Sequence, residues 1–168
     1  AFIGGSMQNV GAGWLMVDLG GSPLQVSLIQ GGMSLSVLLA ALPSGVLADL
    51  YDRRQIMLVA LAGMMLCTGL IGLLALRAGL TPAALLAITF LFGIASAGMT
   101  PAMQATVPDL VSRDTLPGAI ALNGMSSSAA RSVGPGFAGL LIGLVGAGAT
   151  LLANVLAFVG IWWVIARW

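Results

Sequence analysis

Apolar residues run along this chain in long stretches, each ended by a short cluster of turn-forming or charged residues. A helix rises 1.5 Å per residue, so about 20 apolar residues cross the roughly 30 Å of hydrocarbon in a bilayer. The pattern predicts six such helices, over residues 1–19, 24–47, 56–76, 83–105, 117–145 and 149–166. The first break is Gly20-Gly21-Ser22-Pro23, four turn-formers in a row. The second is the charged cluster from Asp49 to Arg54, and the third is Arg77-Ala78-Gly79. Thr81 then supplies an N-cap, with Pro82 at the first helical position. Pro108 to Asp114 is the longest polar interruption; Leu116-Pro117 opens the fifth helix, and Gly146-Ala147-Gly148 turns the chain into the sixth.

Residues 1–19 have no basic leader, and Gln8, Asn9 and Trp14 interrupt what would be a cleavable core, so the run reads as a membrane helix rather than a signal peptide. With no initiator Met, the chain is expected to be a piece of a longer protein.

Composition agrees with lipid as the solvent. Of 168 residues, 59% are hydrophobic and 7% charged, and the mean hydropathy is +1.08. A soluble domain carries about a quarter charged residues, so the expected class is an all-α integral membrane protein. The charges are six Arg and five Asp, without Lys, Glu or His. The commonest general bases and zinc ligands are therefore missing, and no enzyme activity, metal or cofactor is expected. Asp49 and Asp52 stand at a helix end beside Arg53 and Arg54, not as a buried aspartate pair. Gly4, Gly5, Gly11 and Gly13 lack the Gly-Lys-Ser/Thr that completes a phosphate loop. Cys67, the single cysteine, reads as a packing or lipid-facing residue. A net charge of +1 points to no nucleic-acid partner.

Arginine placement sets the expected orientation, since positive residues stay on the cytoplasmic side. On an up-down path Arg53, Arg54, Arg113 and Arg167 share one side and Arg77 the other. Both termini and the loops after helices two and four are then cytoplasmic, with Trp162, Trp163 and Trp168 as an interfacial anchor.

Arg131 stands about halfway along the fifth helix, where a guanidinium costs at least about 2.5–3.5 kcal/mol unless it meets water or a partner. Asn123 and Ser127 precede it by eight and four residues and share its face. This stripe is expected to line a cavity for an anionic or hydrogen-bonding substrate, or else Arg131 braces neighbouring helices. Gln8, Asn9, Gln30, Ser34 and Gln104 are further polar residues at depth, each a cavity candidate or a structural group. Asp18, near the outer end of the first helix, is either solvated or a proton-coupling group.

The segment Gly45-Val46-Leu47-Ala48-Asp49-Leu50-Tyr51-Asp52-Arg53-Arg54 resembles the signature loop of the major facilitator superfamily, with Asp52 where a second glycine is usual. Met7 to Trp14, Gly21 to Leu24, Pro101 to Ala105, Val107 to Val111, Ile120 to Gly124 and Ala130 to Gly139 extend the likeness to the enterobactin-exporter-like branch. Gly134-Pro135 with Gly139 resembles the exporter-associated motif, a packing or hinge element.

The resemblance implies one six-helix bundle of two inverted three-helix units, the N-terminal half of a transporter whose C-terminal six helices follow in the same chain. It implies proton-coupled export of a drug-like or siderophore-like molecule across the bacterial inner membrane. The gate would be Gly45, Asp49, Asp52, Arg53 and Arg54, with Asp109 and Arg113 paired to each other or to that loop. Charge and hydropathy alone fit an importer equally, and a non-transporting six-helix scaffold or assembly partner is the alternative of a different class.

Overall fold

The computed structural model describes residues 2–50, 52–112 and 114–167, with side chains except at positions 2, 41, 42, 44–50, 100, 105 and 107–110. Among these residues the secondary structure is helical throughout: α1 (Phe2–Asp18), α2 (Pro23–Leu50), α3 (Arg53–Leu76), α4 (Pro82–Ala97), α5 (Met99–Leu110), α6 (Leu116–Val145) and α7 (Ala147–Arg167). Five segments are long and apolar enough to cross a membrane: the first part of α2, then α3, α4 with α5, α6 and α7. At 17 residues, α1 extends about 25 Å and is the shortest of the expected six.

The fourth expected helix, 83–105, is interrupted at Gly98. Pro101 has no N–H to offer the carbonyl four residues earlier at Ala97, so the helical ladder loses a rung there. The span nonetheless continues through the break, from Pro82 to Gln104. The turn between α2 and α3 is tighter than the charged cluster suggested, since α2 reaches Leu50 and α3 starts at Arg53.

Helix ends are closed by the side chains beside them. Ser22 and Gln25 cap α2 reciprocally: the Ser22 N–H donates to Gln25 Oε1 at 2.9 Å, and the Gln25 N–H to Ser22 Oγ at 3.3 Å. Thr81 Oγ1 accepts from the Ala84 N–H at 3.2 Å, ahead of Pro82 in the first turn of α4. Gly146, at φ 83°, ends α6 in a conformation L side chains avoid. Its N–H donates to the Ile142 carbonyl at 2.8 Å.

The most extensive pairings are α3 with α7, α2 with α4, α1 with α6, α3 with α4 and α1 with α7, in that order. Two apolar clusters fill the interior. One, built on Leu15, Met16, Ile71, Leu85, Ile142 and Leu151, occupies the end where α1, α3 and α6 finish. The other, built on Met57, Leu61, Met64, Phe92, Met99 and Phe158, lies toward the end where α3 begins and α7 finishes. Phe92 and Phe158 rings meet there at a centroid distance of 6.4 Å, tilted by 43°. Cys67 touches both clusters, a packing role.

The α3–α7 crossing needs a missing side chain. A Cβ at Gly72 would lie 2.9 Å from Leu152 Cγ and 3.1 Å from the Gly148 carbonyl oxygen, so two backbones approach there as small residues allow in membrane helices. Gly72→Val is expected to lower stability by about 1–3 kcal/mol through overpacking. Gly139→Val, where nothing lies within 4 Å, should leave it nearly unchanged. Thermal unfolding in detergent checks the contrast, and equal melting of the two variants would show that Gly72 does not set the α3–α7 spacing.

Candidate functional site

Between α2, the α4–α5 span and the first half of α6 lies a cavity of about 870 Å³. That is within the range of small-molecule sites. One wall is polar: Arg131, Ser127 and Asn123 of α6, with Gln104 of α5 and Ser96 of α4. The methionine wall of the same lining, Met33, Met64, Met99 and Met103 with Phe92, is apolar. The cavity is also approached by the backbone of Gly5 in α1 and Gly124 in α6.

The polar wall follows from helical spacing. Residues 123, 127 and 131 recur every four positions, so one face of α6 carries all three. Ala130, Gly134, Ala138 and Ile142, spaced three or seven residues from these and four from one another, continue the same face along the second half of α6 and are buried. One face of α6 thus borders the cavity along its first half with an amide, a hydroxyl and a guanidinium, and packs into the bundle along its second half through small apolar residues. Arg131 is exposed, and among the described residues it has no hydrogen-bond or ion-pair partner. Ser127 satisfies its own hydroxyl by donating to the Gly124 carbonyl at 2.8 Å.

The other polar residues at depth lie elsewhere. Gln8 is fully buried and accepts from Thr68 Oγ1 at 3.0 Å, joining α1 to α3. Asn9 Nδ2 donates to Gln30 Oε1 at 3.1 Å, joining α1 to α2. Neither these three nor Ser34, exposed on α2, is among the described cavity-lining residues. Of the eight cavity candidates, the structure brings together Arg131, Ser127, Asn123 and Gln104. Asp18 is exposed at the last position of α1, far in the chain from any lining residue of that helix.

The methionine wall carried no signal of its own in the sequence. Four of the nine methionines face the cavity, but they come from three separate elements and follow no single helical period. Thioethers are flexible and polarisable, and suit a surface that accommodates ligands of varied outline.

The model of the transmembrane secretion effector family, within the major facilitator superfamily, matches residues 1–168. The chain belongs to this family. A Staphyloferrin A transporter from Staphylococcus aureus is 25% identical over 158 residues, covering 94% of this chain and 40% of its own length. The chain thus spans less than half of that relative. No solved structure matches. Apolar helices in this number and family membership make it a multi-pass membrane protein.

In this chain, part of the expected gate loop is engaged in closing helix ends. Asp52 is the N-cap of α3, accepting from the Arg54 N–H at 3.0 Å. A carboxylate there also offsets two arginines placed in the unfavourable first turn. Arg54 Nε donates to the Ile165 carbonyl at 3.1 Å, and its Nη2 donates to the Ala166 carbonyl. It therefore occupies two of the orphan acceptors at the end of α7, at the negative pole of that helix. Arg53 is half-buried in the same turn. The side chains of Gly45, Asp49 and Asp109, and residue Arg113, lie outside the described residues. At the end of α7 the Arg167 guanidinium stacks 3.9 Å from the centre of the Trp163 ring.

The expected packing or hinge element of α6 divides by face. A Cβ at Gly134 would lie 2.8 Å from Ser6 Cβ, so Gly134 is where α6 meets α1. Pro135 is exposed one position further round the helix, and Gly139 has open space where a side chain would stand. Helix α6 runs unbroken through Pro135.

If Arg54 is chiefly a clasp between α3 and α7, Arg54→Ala should cost about 1–3 kcal/mol of stability, the range for hydrogen bonds to a charged group. Melting in detergent measures this. Unchanged melting with lost transport would assign Arg54 to gating instead.

Proposed function

We propose that residues 1–168 are one helix bundle of a secondary transporter in the bacterial inner membrane, which carries a drug-like or siderophore-like molecule out of the cell. One observation carries the reading: a bundle of this family holds a small-molecule-sized cavity whose lining reaches Arg131, the cation midway along α6. A relative described as a Staphyloferrin A transporter supports a siderophore-like cargo. That the chain spans 40% of that relative supports a second six-helix bundle in the same polypeptide. The two bundles, each of paired three-helix units, would rock about the cavity in alternating access.

In this reading the ends bearing Arg53, Arg54 and Arg167 face the cytoplasm by the positive-inside rule. The cavity then lies in the cytoplasmic half, while the cluster around Leu15, Ile71, Leu85 and Leu151 closes the outer half. Such an arrangement suits loading from inside. The turn from Asp49 to Arg54, with Asp109 and Arg113, would seal that side when the bundles rock. Proton coupling requires a titratable group presented alternately to the two sides. The described cavity wall carries no carboxylate or imidazole, so in this reading the proton carrier belongs to the rest of the transporter.

The test compares small molecules in the medium and inside cells, by mass spectrometry, for a strain lacking the gene and the same strain carrying the full-length transporter. At least one compound should disappear from the medium and accumulate inside when the gene is deleted. Gly124→Trp, which fills the cavity, should reproduce the loss by about tenfold or more, equivalent to ~1.4 kcal/mol of binding. Depletion inside with retention outside would make the protein an importer, and no change in either compartment would remove the transport reading.

A further inference from the structure

The charges of this chain are distributed unevenly along its helices. All five aspartates stand at or beyond a helix end: Asp18 closes α1, Asp49 and Asp109 are next to last in α2 and α5, Asp52 precedes α3, and Asp114 precedes α6. Of the described arginines, those at 53, 54, 77 and 167 are placed likewise. Arg131 alone is central, 15 residues after the start of α6 and 14 before its end. Among the described residues, no carboxylate lines the cavity with it. Its guanidinium is a fixed positive charge with five donors and no acceptor, and it borders a cavity rather than a partner.

Such a group is stabilised at half-depth by water or by an anion. In the same lining, Asn123 and Gln104 add amide donors, and Phe92 and the four methionine thioethers offer an adaptable apolar surface. A cationic ligand would be repelled by Arg131, and a wholly apolar one would leave it unpaired. We infer that the cavity takes an anionic amphipath, whose carboxylate, sulfonate or phosphate pairs with Arg131 while its apolar body lies against the methionine wall. The inference deepens the transport reading by naming the class of cargo, and rests on it for its biological meaning. It also makes the cargo the counter-ion of the bundle, so that Arg131 crosses between states neutralised when loaded and charged when empty.

Thiol labelling tests it in membranes containing the full-length transporter, with Cys67 and any other cysteine replaced and Ser127→Cys introduced on the cavity wall. Rates are compared for an anionic methanethiosulfonate (sulfonatoethyl) and a cationic one (trimethylammonioethyl), each relative to a free thiol. The anionic reagent is expected to be favoured, and Arg131→Gln should reduce that preference about tenfold, within the range by which charged clefts concentrate ligands. Asn123→Asp, which keeps the guanidinium and adds a carboxylate to the same face, should reduce it likewise if Arg131→Gln fails to insert. Anilinonaphthalene sulfonate should slow labelling and neutral phenylnaphthylamine should not, with protection lost in Arg131→Gln. An unchanged preference in both variants, or equal protection by the two probes, would overturn the inference and make Arg131 a brace. The secretion assay is read separately. Secretion lost in Gly124→Trp with no charge preference keeps the transport reading and removes the anion site. Charge preference with secretion intact in Gly124→Trp supports the anion site and removes the transport role.

Discussion

A polar group in hydrocarbon has no water to bond, so every donor and acceptor of this chain at depth must find a protein partner or a wet surface. The fold can be read as the solution to that constraint. Backbone groups are satisfied within helices. Where helices end, the neighbouring side chains take over: Ser22 with Gln25, Asp52, Thr81, and Arg54 reaching across to the last carbonyls of α7. Polar side chains join helices in pairs, Gln8 to Thr68 and Asn154 to the Gly4 carbonyl at 2.8 Å in the interior, and Asn9 to Gln30 at the surface of the bundle. These contacts replace the hydrophobic drive that associates helices in water, which lipid removes.

Part of what remains after that pairing lines the cavity, while Gln8 Nε2, Asn9 Oδ1, Thr89 Oγ1 and Asn154 Oδ1 are buried without a partner among the described residues. Asn123, Gln104 and Arg131 have no partner of the Gln8–Thr68 kind and all line the cavity. Sorting polar residues by whether a neighbouring helix offers a complementary group thus separates scaffold from site more sharply than their identity does. Gln8 and Gln104 are the same residue type at similar remove from a helix end, yet one is sealed between α1 and α3 and the other faces the opening.

Much of this was legible in the chain. Apolar run length placed the helices, and turn chemistry placed their ends at Gly20 to Pro23, at Thr81-Pro82 and at Gly146. The Asn123, Ser127 and Arg131 face was legible because it depends on helical period alone. The break at Gly98 was less so, because Pro101 lies three residues beyond it within an otherwise continuous apolar run. Pairings across helices were not legible: Gln8 and Thr68 are 60 residues apart and Arg54 and Ala166 are 112 apart, and no local pattern says which helices will lie together. The methionine wall is hidden for the same reason, being assembled from three elements.

The bond between Asn154 and the Gly4 carbonyl joins residues 150 apart, the first helix to the last. At a synthesis rate of about 5–20 residues per second, roughly 8–30 s separate their appearance at the ribosome. Through that interval α1 waits in the membrane with Gly4, Gly11 and the α7-facing side of its surface uncovered, while α2 to α6 are inserted around it. Closure of the bundle is therefore a late event of biogenesis. The amide of Asn154 and the ring of Phe158 complete α1 only once the last helix has arrived.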